Sequence, residues 1–194
     1  MKEIVIATKN KHKIIEMKRM LEEIGYSVFS LFDFDEFPEI IEDGNTFKEN
    51  ALKKARELSN YLNKTVISDD SGLEVFSLNN EPGVYSARYS GENKSYEDNN
   101  LLLLKNLVGS VDRKARFVTT ICLYSQTEEP LFFEDYLYGE ISENYKGTNG
   151  FGYDPIFYVP ELNKNLAEIS LDQKNEISHR GKCLTKLIKH LKNK

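Results

Sequence analysis

The stretch Val66-Ile67-Ser68-Asp69-Asp70-Ser71-Gly72-Leu73-Glu74-Val75 decides the fold class. An apolar run of strand character leads into two adjacent carboxylates, and Ser71-Gly72 predicts a turn before apolar residues resume. The carboxylates are therefore expected at the end of a buried strand. Two carboxylates held about 4 Å apart repel by roughly 4 kcal/mol at an effective dielectric near 20. Such a pair needs a divalent cation, a shared proton, or side chains turned apart. Successive strand residues face opposite ways, which lets the pair divide its labour, one carboxylate on a metal and the other buried or acting on water. Mg2+ fits best among hard cations, because it takes one or two carboxylates and fills its shell with water and substrate phosphate. Taken alone, the stretch reads equally as a plain acidic turn with Gly72 at positive φ.

Toward the N-terminus, Ile4 to Ala7 read as a buried strand, and Thr8-Lys9-Asn10-Lys11-His12-Lys13 leads into a helix whose apolar face is Ile14, Met17, Leu21 and Ile24. Asn10 is a good N-cap, and the backbone N–H groups behind it, with Lys9, Lys11 and Lys13, suit an anion such as a phosphate chain. A capped surface helix with solvated lysines is the plainer alternative. No Gly-rich Walker or Rossmann loop is present, so a phosphate site here is of another kind. Tyr26 to Leu31 read as a second strand. Between Phe32 and Asp43 the chain is irregular and acidic, and Thr46-Phe47-Lys48-Glu49 is a capping box opening a helix with Phe47, Ala51, Ala55, Leu58 and Leu62 inward. Glu42 stands just ahead of that helix, either as a carboxylate favouring its dipole or as a further acidic ligand beside Asp69 and Asp70.

Beyond the central stretch, Ser95 caps a third helix, and Ala115 to Tyr124 with Pro130 to Tyr138 read as an antiparallel pair. Gly147-Thr148-Asn149-Gly150-Phe151-Gly152-Tyr153-Asp154-Pro155 is a loop in which Phe151 or Tyr153 offers a stacking face for a nucleobase, unless the aromatics anchor the loop to the core. Ser170 to Gln173 form another capping box with Lys174 following. Ser178-His179-Arg180-Gly181 opens the final helix with an imidazole and a guanidinium placed to hold an anion or a base edge.

The length of 194 residues supports an ample core, burying about 70% of the unfolded surface. With 29% charged and 40% hydrophobic residues and a net charge of −5, the chain has the composition of a soluble globular protein. That charge argues against duplex nucleic acid as a partner. No run approaches the 18 or so apolar residues of a membrane span. Cys122 and Cys183 lack metal-ligand spacing and read as free thiols in a reducing compartment. The apolar N-terminal run is too short for a signal peptide, so a cytoplasmic location is expected.

Taken in order, six motifs resemble the inosine triphosphate pyrophosphatase family, the non-canonical purine nucleoside triphosphate pyrophosphatases. They are Thr8-x-Asn10-x-x-Lys13, Glu42-x-Gly44-x-Thr46-Phe47 with Glu49-Asn50-Ala51, Ser68 to Leu73, Pro82-Gly83-Val84-Tyr85-Ser86-Ala87-Arg88, Gly150 to Pro155, and Ser178 to Gly181. The resemblance spans nearly the whole chain. It implies a single pyrophosphatase domain over residues 1–194, with an α/β fold, a long central mixed sheet flanked by helices, and two lobes with the substrate cleft between them. A homodimer is also implied. The expected reaction hydrolyses inosine, deoxyinosine and xanthosine triphosphates to monophosphate and pyrophosphate, with Mg2+. By the same resemblance Asp70 is the proton acceptor, Glu42 and Asp70 hold the metal, and Thr8, Lys9, Asn10, Lys11, His12 and Lys13 hold the phosphates. Ser71, Phe151, Gly152, Tyr153, Asp154, Lys174, His179 and Arg180 match substrate-contacting positions, with His179 and Arg180 expected to close one base pocket together. Two positions depart from the family pattern: Ile41 stands where some relatives carry a second acid, and Asn149 where Gly is frequent. Two other classes compete, a non-enzymatic nucleotide sensor with the same pocket and a related hydrolase of modified pyrimidine nucleotides.

Overall fold

The computed structural model describes residues 2–193, so the two ends of the expected 1–194 domain, Met1 and Lys194, lie outside it. Strand β1 (Lys2–Ile6) is followed by helix α1 (Lys11–Glu22) and strand β2 (Tyr26–Ser30), which pairs with β1 in parallel from Lys2↔Tyr26 to Ile6↔Ser30. Helix α2 (Phe47–Leu62) then leads to strand β3 (Val66–Val75), which pairs in parallel on the other side of β1 at Val5↔Val66 and Ile6↔Ile67. The crossover from β1 places β2 on one side of it, and the crossover from β2 returns past β1 to place β3 on the other. The segment after β1 therefore occupies a topological switch point, where open α/β sheets bind ligands.

Helix α3 (Tyr96–Asn106) precedes strands β4 (Lys114–Ser125) and β5 (Glu128–Ile141). Only two residues join β4 to β5, and a parallel pairing needs a far longer crossover, so the pair is an antiparallel hairpin as expected. Strands β6 (Phe157–Val159) and β7 (Lys164–Asn165) add antiparallel pairings, completing a seven-stranded mixed sheet in the order β2-β1-β3-β4-β5-β6-β7. Helices α4 (Leu171–Ile177) and α5 (His179–Lys192) end the chain.

Two compact units arise from this order. One takes residues up to Asp70, Thr119–Asp135 and Arg180 onward; the other takes Ser71–Val118 and Tyr136–His179. In the first unit, strand alternation sorts the apolar side chains into two layers. Ile4, Ile6 and Ile67 join Met17 and Leu21 of α1 and Leu184 and Leu187 of α5. Val5, Ala7 and Val66 join Ala51, Ala55 and Leu58 of α2. The second unit packs Leu103 and Leu107 against Leu73, Val75, Phe117, Leu137 and Phe157.

One local expectation is overturned. Ser71-Gly72 makes no turn, since β3 runs unbroken from Val66 to Val75, and Gly72 is not among the residues at positive φ. Both faces of this strand are packed, and the residues from Val66 to Asp70 are all buried. A turn there would strand backbone groups where water cannot reach them. Asp69 and Asp70 consequently sit in mid-strand rather than at its end. Cys122 and Cys183 are free and buried, and burial pushes both thiols up to about 12.

Candidate active site

The two carboxylates of β3 serve opposite faces of the sheet, as strand geometry requires. On the α2 side, Ser68 donates to the carbonyl of Ala51 at 2.5 Å, and two residues further Asp70 meets Asn50 and Lys54 of the same helix. On the α1 and α5 side, Asp69 meets Lys13 and Arg180. The adjacency that looked repulsive in sequence is resolved by turning the side chains apart.

Asp69 is the anchored member. Its Oδ2 lies 2.8 Å from Lys13 Nζ and 3.4 Å from Arg180 Nε, and Arg180 Nη1 continues to Glu16 Oε2 at 2.8 Å. Two acids and two bases form one buried neutral group. Burial works to raise the Asp69 carboxyl, yet Lys13 and Arg180, then Lys54, hold it well below the usual carboxylate range. Burial lowers Lys13 from its ordinary value, with Arg180 and Lys54 adding to the effect and Asp69 opposing it. For Arg180 burial again works downward, but Asp69 and Glu16 outweigh it and raise the guanidinium.

Asp70 is the poised member. Burial raises its carboxyl to about 6, with Glu42 adding to the rise while Lys54, Lys13 and the Asn50 hydrogen bond oppose it. Lys54 Nζ stands 3.0 Å from Glu42 Oε2 and 3.8 Å from Asp70 Oδ1, so two carboxylates converge on one cation. Burial works to lower Lys54, and Asp70 and Glu42 more than reverse that. This donor set fits Mg2+. Two hard oxygen donors face a common position, held here by the Lys54 ammonium, and no group of three or more His, Cys, Asp or Glu that could hold a metal ion occurs among the described residues. A metal held by two carboxylates keeps positions for water and phosphate oxygens. A further acid, Glu39, lies with Glu42 on the wall of the adjoining cavity.

That cavity, about 190 Å³, is lined by Ala7, Thr8, Lys9, Leu31, Phe37, Pro38, Glu39, Ile40, Glu42 and Lys54. It brings the loop after β1 to the Asp70 carboxylate system. A larger cavity of about 340 Å³ at the other end of β1 is lined by Glu3, Glu128 and Glu129 with a single lysine, Lys2, and lies away from Asp69 and Asp70, so it lacks the lysine-rich loop that would meet a polyanion. Asn10 caps α1 by accepting from the N–H groups of His12 at 3.0 Å and Lys13 at 3.4 Å, and Thr8 Oγ1 accepts from the N–H of Asn10 at 3.1 Å. Those N–H groups are spent on the cap, which shifts the anion-holding role toward side chains. The ammonium of Lys9 rests 5.1 Å from the ring centre of Phe37 and that of Lys11 5.8 Å from Phe32.

The second unit carries the remaining candidates. Lys174 Nζ lies 2.5 Å from Asp154 Oδ2 and 4.6 Å from the ring centre of Phe151, while the same Asp154 oxygen accepts from the Phe151 N–H at 2.9 Å. Gly150, at φ +75°, has the Asp154 carboxylate where a Cβ would stand, so the loop closes only with glycine there. The two loop aromatics part company. Tyr153 is buried in the core with its hydroxyl donating to the carbonyl of Ser86 at 2.8 Å, whereas Phe151 is half-buried and leans on Tyr96. Ser71 is half-buried on β3 directly after Asp70. His179 stacks on Phe117 with ring centres 4.8 Å apart and planes within 7°. Of the pair expected to close one pocket, Arg180 joins the Asp69 group while His179 lies against Phe117.

Sequence reading gives no role to three residues of the site, although Asn50 stands in one of the motifs. Asn50 and Lys54 stand four apart on α2, polar and buried within its apolar stripe, a spacing that in retrospect marks a helix face turned to a polar partner. Glu16 does the same beside Met17 on α1.

An α/β protein with a switch-point loop rich in lysines beside a poised and an anchored carboxylate is one built to handle a polyanion. The comparisons are specific. The Ham1 family model matches residues 4–190, and the chain belongs to the Ham1 family. A Staphylococcus aureus (strain MRSA252) protein named dITP/XTP pyrophosphatase is 49% identical over 194 residues, covering 98% of this chain and 97% of that protein. An Exiguobacterium sp. (strain AT1b) protein of the same name is 48% identical over 184 residues, covering 95% and 94%. Among solved structures, the S. aureus Ham1 protein superimposes with a TM-score of 0.91 at 47% identity over 99% of both chains. A HAM1 protein from Coxiella burnetii does so with 0.94 at 38% identity over 100% of both.

Proposed function

We propose that this chain hydrolyses the triphosphates of inosine, deoxyinosine and xanthosine to the nucleoside monophosphate and pyrophosphate, with Asp70 accepting the proton of the attacking water. The observation that carries the reading is geometric: the buried Asp70 carboxylate, held by Asn50 at 3.0 Å, converges with Glu42 on one cationic position beside the lysine-bearing loop after β1. Burial raises its carboxyl above the ordinary carboxylate range, as a base requires. Relatives that share about half of the sequence along nearly its whole length carry the name dITP/XTP pyrophosphatase.

In this reading Glu42 and Asp70 hold Mg2+, which when bound neutralises phosphate charge and favours the leaving diphosphate. Thr8, Lys9 and Lys13 hold the phosphates, and Lys54 is released from Glu42 and Asp70 to join them. Water loses its proton to Asp70 as its oxygen bonds to the α-phosphorus. The bond from that phosphorus to the bridging oxygen breaks, and pyrophosphate departs with the electron pair. Asp69 never takes the proton: with Lys13 and Arg180 on it, its carboxyl is too weak a base. Incubating the protein with inosine triphosphate and Mg2+ is expected to release pyrophosphate and the monophosphate in equal amounts. Orthophosphate as first product, or a preference for modified pyrimidine triphosphates, would overturn the reading, and tight binding without turnover would make the protein a sensor.

For the base, Phe151 supplies the stacking face and Lys174 a donor toward the 6-keto oxygen that inosine and xanthosine carry and adenine does not. Their closeness, 4.6 Å from ammonium to ring centre, supports this assignment. Stacking is worth about 1–3 kcal/mol per base, so Phe151→Ala is expected to raise KM for inosine triphosphate about tenfold with kcat little changed. A donor left unpaired costs about 1–3 kcal/mol, so Lys174→Ala should narrow the preference for inosine over adenosine triphosphate. Equal losses on both nucleotides would make Lys174 a structural partner of Asp154 alone.

A further inference from the structure

Asn50 sits in the first turn of α2 and is 1% exposed, yet its amide is fully engaged at both ends. Its Nδ2 donates to Asp70 Oδ2 at 3.0 Å, and its Oδ1 accepts from the N–H of Gly44 at 2.8 Å. Only this amide orientation works, because an ionised carboxylate only accepts and a backbone N–H only donates. Gly44 lies two residues after Glu42. A Cβ at Gly44 would stand 2.7 Å from Asn50 Oδ1 and 2.9 Å from the Glu49 Cβ, so the loop backbone is pressed directly against this amide. One side chain thus ties the strand that bears Asp70 to the loop that bears Glu42. The tie is anchored in a helix start that is itself rigid, since Thr46 and Glu49 form a reciprocal cap and the Asn50 N–H donates to the carbonyl of Thr46 at 3.1 Å.

We propose that Asn50 is a positioning residue: it holds Oδ2 of Asp70, leaves Oδ1 to the reacting side, and fixes the spacing between Asp70 and Glu42. The inference rests on the reading of that pair as base and metal carboxylates. Spacing matters because Mg2+ demands near-ideal octahedral geometry at about 2.0–2.1 Å, and groups that orient metal carboxylates typically matter about 10- to 100-fold for affinity or activity. Lys54 also bridges the two carboxylates, at 3.0 Å from Glu42 and 3.8 Å from Asp70, but in the proposed reaction it leaves them, whereas the amide joins Asp70 to the Gly44 backbone and stays in place.

The test compares wild type, Asn50→Ala, Asn50→Asp and Ser59→Ala. Ser59 is buried in the last turns of the same helix, where its hydroxyl donates to the carbonyl of Lys64 at 2.6 Å, so its loss weakens α2 away from the carboxylates. Two readouts are taken: kcat and KM on inosine triphosphate, and the shift of melting temperature on titrating Mg2+ without nucleotide. Asn50→Ala is expected to lose about 10- to 100-fold in kcat, to keep KM within about threefold, and to need about tenfold more Mg2+ for half of the melting shift. Asn50→Asp keeps the volume but replaces the donor by an acceptor, and its kcat should fall at least as far. Ser59→Ala should melt earlier with kcat and the Mg2+ midpoint unchanged. The proposal fails if Asn50→Asp turns over like wild type, or if Asn50→Ala melts earlier with kcat and Mg2+ midpoint intact, as Ser59→Ala does. A wild type that shifts with Mg2+ but releases no pyrophosphate would sink the assigned reaction, while the Mg2+ midpoints of the variants would still decide the role of Asn50.

Discussion

Asp70→Asn is expected to abolish turnover and, in the absence of divalent cation, to make the protein more stable at pH 7. Positioned general bases contribute about 10²–10⁴-fold, so kcat should fall by at least that range, because an amide of similar volume cannot take the proton. The stability gain follows from the sign of the pKa shift. Burial and Glu42 raise the Asp70 carboxyl to about 6 in the folded chain, against 3.8 for the free group. Between those values the native state binds more protons than the unfolded one, so this residue lowers stability as pH rises through the window from about 4 to 6. At pH 7 the full burden of the buried charge is present. Two pKa units correspond to about 3 kcal/mol, a figure that already contains the opposing attraction of Lys54, so the expected gain is about 1–3 kcal/mol. Near pH 4 the wild-type group is protonated and the gain should vanish. Melting curves of both proteins in chelator at pH 4.5 and pH 7.5 test this. A variant that is active, or less stable than wild type at both pH values, removes Asp70 from its assigned role.

The same residue shows what was legible in the sequence. The composition of β3 announces two carboxylates that can turn to opposite faces, because alternation along a strand is a local property. Its continuation through Ser71-Gly72 was not legible. Serine and glycine are turn residues by local preference, and only packing on both faces forces them to remain extended. Caps at Asn10, Thr46, Ser95 and Ser170 were readable for the same reason as the alternation: each is a contact within a few residues. The partners of the charged groups were not. Arg180 lies 111 residues from Asp69 and 164 from Glu16 along the chain, a separation across which no local pattern names a partner. Tyr153 and Phe151 are chemically alike in sequence, and only the carbonyl of Ser86, 67 residues away, sends the tyrosine to the core.

Arg180 also carries the largest expected effect on stability. The group of Lys13, Asp69, Arg180 and Glu16 contains two positive and two negative side chains, all largely removed from water. Removing one partner of such a group leaves an uncompensated buried charge, at a cost of about 3–5 kcal/mol. Arg180→Ala strips a partner from both Asp69 and Glu16, so a loss at the upper end of that range is expected, about 10 °C or more in melting temperature for a chain of this size. The sign with pH is opposite to that of Asp70. Asp69 is held below its ordinary value by Lys13 and Arg180 against the upward pull of burial, so the stability it contributes is present above about pH 4 and is lost as the medium becomes more acid. The gap between Arg180→Ala and wild type should therefore be widest near neutral pH and close below about pH 4. Combining Arg180→Met with Asp69→Asn and Glu16→Gln removes the charges together and should recover most of the stability at pH 7, because neutral groups of similar volume carry far less desolvation cost. It should not recover turnover, since Lys13 loses the carboxylate 2.8 Å away that holds its ammonium in place. If Arg180→Ala unfolds within about 2 °C of wild type at pH 7, the buried group is not what holds α1 and α5 to β3, and the apolar layer of Ile6, Ile67, Met17 and Leu184 must be doing so alone.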